Sequence, residues 1–166
     1  MAFRNWFHLP ATSDASLQTI WRLIAFADLR PAELYGVLRL RSAVFVIEQQ
    51  CLYADMDGLD PEGMHLLGVA DGQLCAYARC FGPGVCFAEA SFGRVLTAPH
   101  VRAQGLGHVL VRQALTALRQ VWGPQPVRIA AQQHLVGFYA RHGFAPVDPP
   151  YVEDGIAHQD MLRPAD

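Results

Sequence analysis

The stretch Arg102-Ala103-Gln104-Gly105-Leu106-Gly107 stands between a run with strand character, residues 91–98, and an amphipathic helical run, residues 106–121. A strand-to-helix junction of this kind is suited to holding a phosphate. Glycines at 105 and 107 let the backbone approach an anion closely, and the first free N–H groups of the helix point at it with the positive end of the helix dipole behind them. Taken alone, the six residues fit equally well a tight turn ahead of a surface helix. A second signal follows the next strand-like run, 127–131. Gln132-Gln133-His134-Leu135-Val136-Gly137-Phe138-Tyr139-Ala140-Arg141-His142-Gly143-Phe144 reads as a short helix closed by Gly143, with Phe144 opening another strand.

Outward from that junction the chain reads as α/β with one mixed sheet. Residues 21–26 are a candidate first strand. Pro31 at a helix start leads into Leu34, Val37, Leu38, Arg41 and Phe45 at amphipathic spacing, a helix expected to carry Glu48 near its end. Runs 65–70 and 73–81 flank Asp71-Gly72, a two-residue hairpin signal, and predict two antiparallel strands. The Asp- and Gly-rich segment 50–63 reads as a loop, because its acidic residues lack the helix-flanked register of a calcium-binding EF-hand. Strand, loop, helix and strand over 91–131 form a right-handed crossover that makes two strands parallel. The loop then lies at the C-terminal end of a strand, where open α/β sheets bind ligands. Segment 151–158 reads as a turn between a final strand pair at 144–147 and 157–162.

With 166 residues, 52% of them hydrophobic, the chain suits one globular domain, residues 19–166, preceded by an N-terminal extension over 1–18 that is expected to be flexible. A net charge of -2 argues against a general nucleic-acid or anionic-membrane binder. All thirteen basic residues are arginine, which suits forked contacts with phosphate. No apolar run has bilayer length and no secretory leader pattern opens the chain, so a cytoplasmic protein is expected. Cys51, Cys75, Cys80 and Cys86 lack paired spacing and read as free, mostly buried thiols, not as metal ligands or disulfides. Other phosphate binders fit less well. Leu110 stands where a dinucleotide fingerprint needs its third glycine, and the Lys-Ser/Thr pair of a nucleoside triphosphatase is absent.

The two motifs together resemble the cofactor-binding core of the GNAT superfamily of acyl-CoA N-acyltransferases, whose signature is Gln/Arg-x-x-Gly-x-Gly/Ala followed by a helix with Phe/Leu-Tyr near its end and Gly-Phe after it. Leu34-Tyr35, Leu38-Arg39-Leu40-Arg41, Val44-Phe45-Val46-Ile47-Glu48-Gln49-Gln50-Cys51, Asp55-Met56-Asp57-Gly58, His65-Leu66-Leu67-Gly68 and Glu153-Asp154-Gly155-Ile156-Ala157-His158 resemble its ElaA-type branch, over about 21–163. The resemblance implies a mostly antiparallel mixed sheet flanked by helices, with a parallel pair splayed to form the acyl-CoA cleft. It implies acetyl-CoA as acyl donor, no metal, and a primary amine of a small molecule, peptide or protein as acceptor. The backbone of Val95, Leu96 and Thr97 is then expected to meet the pantetheine arm and the developing oxyanion. Ala103, Gln104, Gly105, Leu106, Gly107 and His108 would cradle the pyrophosphate with Arg102 as counter-charge, and Gln132 would bond the pantetheine amides. Departures from the wider pattern are Ala103 in place of glycine, Thr97 in place of an aliphatic residue, and Gln132 in place of asparagine.

Amide formation from a thioester calls for a base to free the amine and an acid to protonate the departing thiolate. By the resemblance Tyr139 is the acid, against the alternative that Phe138-Tyr139 only packs a helix on the sheet. Glu48, His65, His134 and Glu153 are candidates for the base, and Glu48 is placed first because the early helices of such folds line the acceptor cleft. Asp55, Asp57, Asp60, Glu153 and Asp154 suggest a cationic acceptor or, equally, a solvated acidic loop. An acyl-CoA sensor without turnover is the alternative function. No nucleic-acid or membrane partner is expected, and monomer and homodimer both fit.

Overall fold

The structure is a computed structural model that describes residues 7–8, 18–51 and 53–165, the first pair by backbone alone. Among the described residues nine strands form two sheets. Strands β1 (Phe7–His8), β2 (Ile20–Ala25), β3 (Met64–Ala70), β4 (Gln73–Phe81) and β5 (Ser91–Thr97) pair antiparallel in chain order. In the second sheet β9 (Ile156–Arg163) pairs with β6 (Val127–Gln132), β7 (Ala145–Pro146) and β8 (Tyr151–Glu153). A single parallel bridge, Ala90 to Val127, joins the two, with the Arg128 N–H donating to the Ala90 carbonyl at 2.9 Å.

The first sheet is apolar on both faces, so β3 and β4 read as nearly continuous hydrophobic runs. Alternation along the strands sends Leu66, Ala76, Ala78 and Cys80 to one face and Leu67 and Tyr77 to the other. Helix α2 (Leu106–Trp122) covers the first face with Leu110, Val111, Ala114, Ala117 and Leu118, all buried at helical spacing. Leu110 is fully buried, and enclosing a side chain of that size stabilises the fold by about 2 kcal/mol. Gly123, at φ 78°, ends α2. The other face packs against Val37 of helix α1 (Pro31–Arg41) and Val44 and Phe45 of the π-helical turn that continues it, Ser42–Glu48. Helix α3 (Val136–Ala140) closes the second sheet.

The hairpin expected at Asp71-Gly72 is present, with both residues at positive φ as a type I′ turn requires. One reading is corrected. Segment 151–158 is a strand, a turn at Asp154-Gly155 and the start of another strand, because Tyr151, Val152 and Glu153 find ladder partners in His158, Ala157 and Ile156. Within the extension, Phe7–His8 pairs with β2 as an edge strand. The remaining residues of 1–17 lie outside the described residues. All four cysteines are free, and Cys86 is exposed where the other three are buried.

Candidate active site

Strands β5 and β6 start side by side and then separate. The cause lies in β5, where Arg79 pairs with Gly93 and Tyr77 with Leu96, so that Arg94 and Val95 together stand opposite Ala78. This is a β-bulge, which sharpens local twist and turns the strand away from its neighbour. Arg94 takes φ 52°, a conformation that costs a non-glycine residue about 1 kcal/mol or more. Its guanidinium is ion-paired at 2.8 Å to Asp55 and at 3.0 Å to Asp57 and lies over the Tyr53 ring, which offsets the strain.

Between the diverging strands is a cavity of about 130 Å³, lined by Phe45, Gln49, Val95, Gln132, Tyr139 and His158 among others. Tyr139 is buried, and Phe92, Phe138 and Phe144 hold its ring. Burial pushes its phenol well above the ordinary tyrosine value, so the proton is retained at neutral pH. Among the described residues its hydroxyl has no hydrogen-bond partner, although it borders the cleft.

Beyond the C-terminal end of β5 the chain makes two left-handed steps, Ala103 at φ 61° and Gly105 at φ 76°, and enters α2. The N–H groups of His108 and Val109 bond to the Gly105 carbonyl, while those at the very start of the helix have no intrahelical partner. A Cβ on Gly107 would meet only the Phe138 ring, at 3.6 Å, which is ordinary contact. The protein itself therefore does not require glycine there. His108 stacks on Phe138 and its Nδ1 is 2.9 Å from Nε2 of His142. Arg102 bonds to Glu48 and to the Thr97 carbonyl. Leu96 sends its side chain into the α1-side core, so what it can offer the cleft is backbone.

The acidic loop behaves differently from its sequence. Arg41 pairs with the buried Asp55 and Asp60, Arg79 with Asp60 and the more exposed Asp57, and Arg94 with Asp55 and Asp57, a cluster of three arginines and three aspartates. Burial alone would raise the carboxyls of Asp57 and Asp60. The arginine hydrogen bonds and charges outweigh it and hold both below the usual carboxylate range. These three aspartates therefore have little charge to offer a cationic acceptor.

The base candidates are scattered. His65 is fully buried, donating from Nε2 to the Asp60 carbonyl and accepting from the Tyr77 hydroxyl at Nδ1, with burial lowering its pKa. Both nitrogens are thus consumed inside the core. Glu48 is exposed, and the Arg102 hydrogen bond holds it below the ordinary glutamate value. His134 is exposed on the turn before α3. Glu153 and Asp154 line a second cavity of about 640 Å³ together with Tyr53, Asp57, Arg94 and His158. The two cavities share Tyr53, Arg94, Gln132 and His158 and so adjoin. Tyr53, Arg94 and His158 escaped the sequence reading as individual site residues, although Glu153-Asp154-Gly155-Ile156-Ala157-His158 was among the segments that resemble the branch.

Splayed parallel strands with a bare helix N-terminus beyond them define the fold of an acyl-CoA-dependent transferase. The chain belongs to the GNAT acetyltransferase family, whose domain model matches residues 27–163. It is 39% identical over 145 residues to the protein ElaA of Escherichia coli, covering 86% of this chain and 95% of ElaA. A UPF0039 protein of Synechocystis is 41% identical over 143 residues, covering 86% of this chain and 93% of the relative. A crystal structure of an acyl-CoA N-acyltransferase from Pseudomonas aeruginosa superposes with a TM-score of 0.83 at 43% identity, covering 87% of this chain and 99% of that one. The protein is accordingly a GNAT acyltransferase of the ElaA-like group. Among the described residues no helix is long and apolar enough to cross a membrane, and no group of His, Cys, Asp or Glu side chains is arranged to hold a metal ion.

Proposed function

We propose that the protein is a cytoplasmic N-acetyltransferase that moves the acetyl group of acetyl-CoA directly to a primary amine. The observation that carries this reading is the Tyr139 phenol, kept protonated by burial and without a hydrogen-bond partner among the described residues, at the edge of the β5–β6 cleft. The unpaired edge of β5 at Val95, Leu96 and Thr97 would receive the pantetheine arm and offer a backbone N–H to the developing oxyanion. The amide of Gln132 would bond the same arm, and the N–H groups from Ala103 to His108 would hold the pyrophosphate. Tyr139 would deliver its proton to the departing sulfur. The acceptor would enter through the larger adjoining cavity. Incubating acetyl-CoA with the protein and a panel of amines while following free thiol tests this directly. Acceptor-dependent release supports transfer, and tight binding with no release supports the sensor alternative.

Glu48 is assigned here to holding Arg102 in place, since a carboxylate stabilised by an arginine is the weaker base. Glu48→Gln is expected to keep turnover within about threefold and to alter acetyl-CoA affinity by a similar factor, an exposed ion pair being worth about 0–1 kcal/mol. A loss of two orders of magnitude in kcat would restore Glu48 as the base.

A further inference from the structure

The base remains without an owner among the residues that the sequence nominated, and the cavities supply another. We propose that His158 is the general base that deprotonates the acceptor amine, an assignment that rests on the acetyltransferase reading above. His158 lines the cleft that contains Tyr139 and also the larger cavity beside it. It lies on β9 directly across from Gln132, the last residue of β6. It therefore stands where the acceptor must pass to reach the thioester.

Its tautomer follows from its partner. Nδ1 is 2.9 Å from the carbonyl oxygen of Ile156, and a carbonyl can only accept, so Nδ1 carries the proton. In the neutral ring Nε2 then holds the lone pair, and among the described residues it has no hydrogen-bond partner. Stacking against Tyr151, with ring planes 22° apart, fixes the ring, and Tyr151 is itself tied through its hydroxyl to Asp160. An imidazole held in one tautomer and one orientation by a backbone carbonyl is the arrangement a positioned base needs. The other candidates lack it: the exposed His134 and Glu153 have no orienting side-chain hydrogen bond among the described residues. His65 has both nitrogens occupied in the core, and Glu48 is committed to Arg102.

The proton balance closes without a further reactant. Nε2 takes one proton from the acceptor ammonium, and the freed nitrogen lone pair forms the C–N bond at the thioester carbonyl. As the C–S bond breaks, the sulfur takes the Tyr139 proton. The second proton shed by the nitrogen restores the tyrosine, and the imidazolium returns its proton to water. One ammonium and one acetyl thioester thus yield one amide, one free thiol and one released proton.

The test compares two kinds of nucleophile with wild type and His158→Gln. Alkyl amines, spermidine and a lysine peptide among them, are protonated at neutral pH and need the base. Hydroxylamine is already neutral there and bypasses it. The variant is expected to lose at least a hundredfold in kcat/KM with the alkyl amine that wild type uses best, and less than fivefold with hydroxylamine. Acetyl-CoA affinity and melting temperature should stay close to wild type, and added imidazole should partly rescue His158→Ala. Equal losses with both nucleophiles, or no loss with either, would overturn the assignment while leaving the acetyltransferase reading intact. If wild type binds acetyl-CoA and acetylates none of these nucleophiles, the acetyltransferase reading itself fails. An NMR measurement on the acceptor-free protein stands apart from turnover. It should find neutral His158 protonated at Nδ1, and protonation at Nε2 would exclude it as the base.

Discussion

Tyr139→Phe is expected to lower kcat for acetyl transfer by about a hundredfold or more while leaving acetyl-CoA affinity within a few-fold of wild type. In the proposed mechanism the phenol contributes one thing that phenylalanine cannot, a proton for the departing sulfur, and a positioned general acid contributes typically ~10²–10⁴ in rate. A hundredfold loss corresponds to about 2.7 kcal/mol of barrier. Little else should change. The ring stays clamped by Phe92, Phe138 and Phe144, and the hydroxyl has no protein partner to lose among the described residues. Thermal stability should therefore match wild type, which separates this variant from one that acts by misfolding. Full turnover in Tyr139→Phe would reduce the residue to a packing element.

The largest effect on stability is expected at Asp60, which bridges Arg41 and Arg79 at 2.7 Å each inside the arginine–aspartate cluster. Asp60→Ala leaves three buried or half-buried guanidinium groups facing two carboxylates. Removing one partner from such a cluster costs about 3–5 kcal/mol, because the remaining charge has neither water nor a counter-ion. For a domain of this size that is a fall in melting temperature of roughly 6–20 °C. Activity should fall with it, since Asp57 of the same cluster anchors the strained Arg94 and hence the bulge that opens the cleft. A melting temperature within about 2 °C of wild type would mean that the cluster is energetically idle.

The same cluster sets an acid limit. Asp57 and Asp60 have carboxyls depressed in the folded state, so they contribute stability that is complete above the unfolded carboxylate value near 4 and is lost as pH falls through the folded values. Glu33, bonded by Arg30 and Arg22 and lowered to about 2, adds to the same window. Denaturant titrations below about pH 4 should show stability falling steeply in wild type and less steeply in Asp60→Ala, which has one fewer depressed carboxylate.

The parts of this molecule legible in the sequence are those encoded locally. Gly105 ahead of a 3.6-residue apolar period marked the turn into α2, and Asp71-Gly72 marked a hairpin, because each needs a particular residue at a particular backbone conformation. The parts that stayed hidden are set by long-range partners. Nothing near Arg94 announces a bulge, since the left-handed residue is an arginine stabilised by aspartates 37 and 39 positions away. Asp55, Asp57 and Asp60 looked like charge available to an acceptor because the arginines that neutralise them come from α1, β4 and β5. His65 looked like a candidate base until the fold occupied both its nitrogens. His158 carried no spacing signal of its own, and only the strand pairing that places it across from Gln132 brings it to the cleft.

The most direct test of the central reading is release of CoA thiol from acetyl-CoA by the purified protein, followed for each member of an amine and peptide panel, with the acceptor weighed by mass spectrometry. The expected result is thiol release that depends on a primary amine, matched mole for mole by an acceptor heavier by one acetyl group. Saturable acetyl-CoA binding without thiol release or acetylated product for any amine would contradict it and leave an acyl-CoA-binding domain that does not turn over.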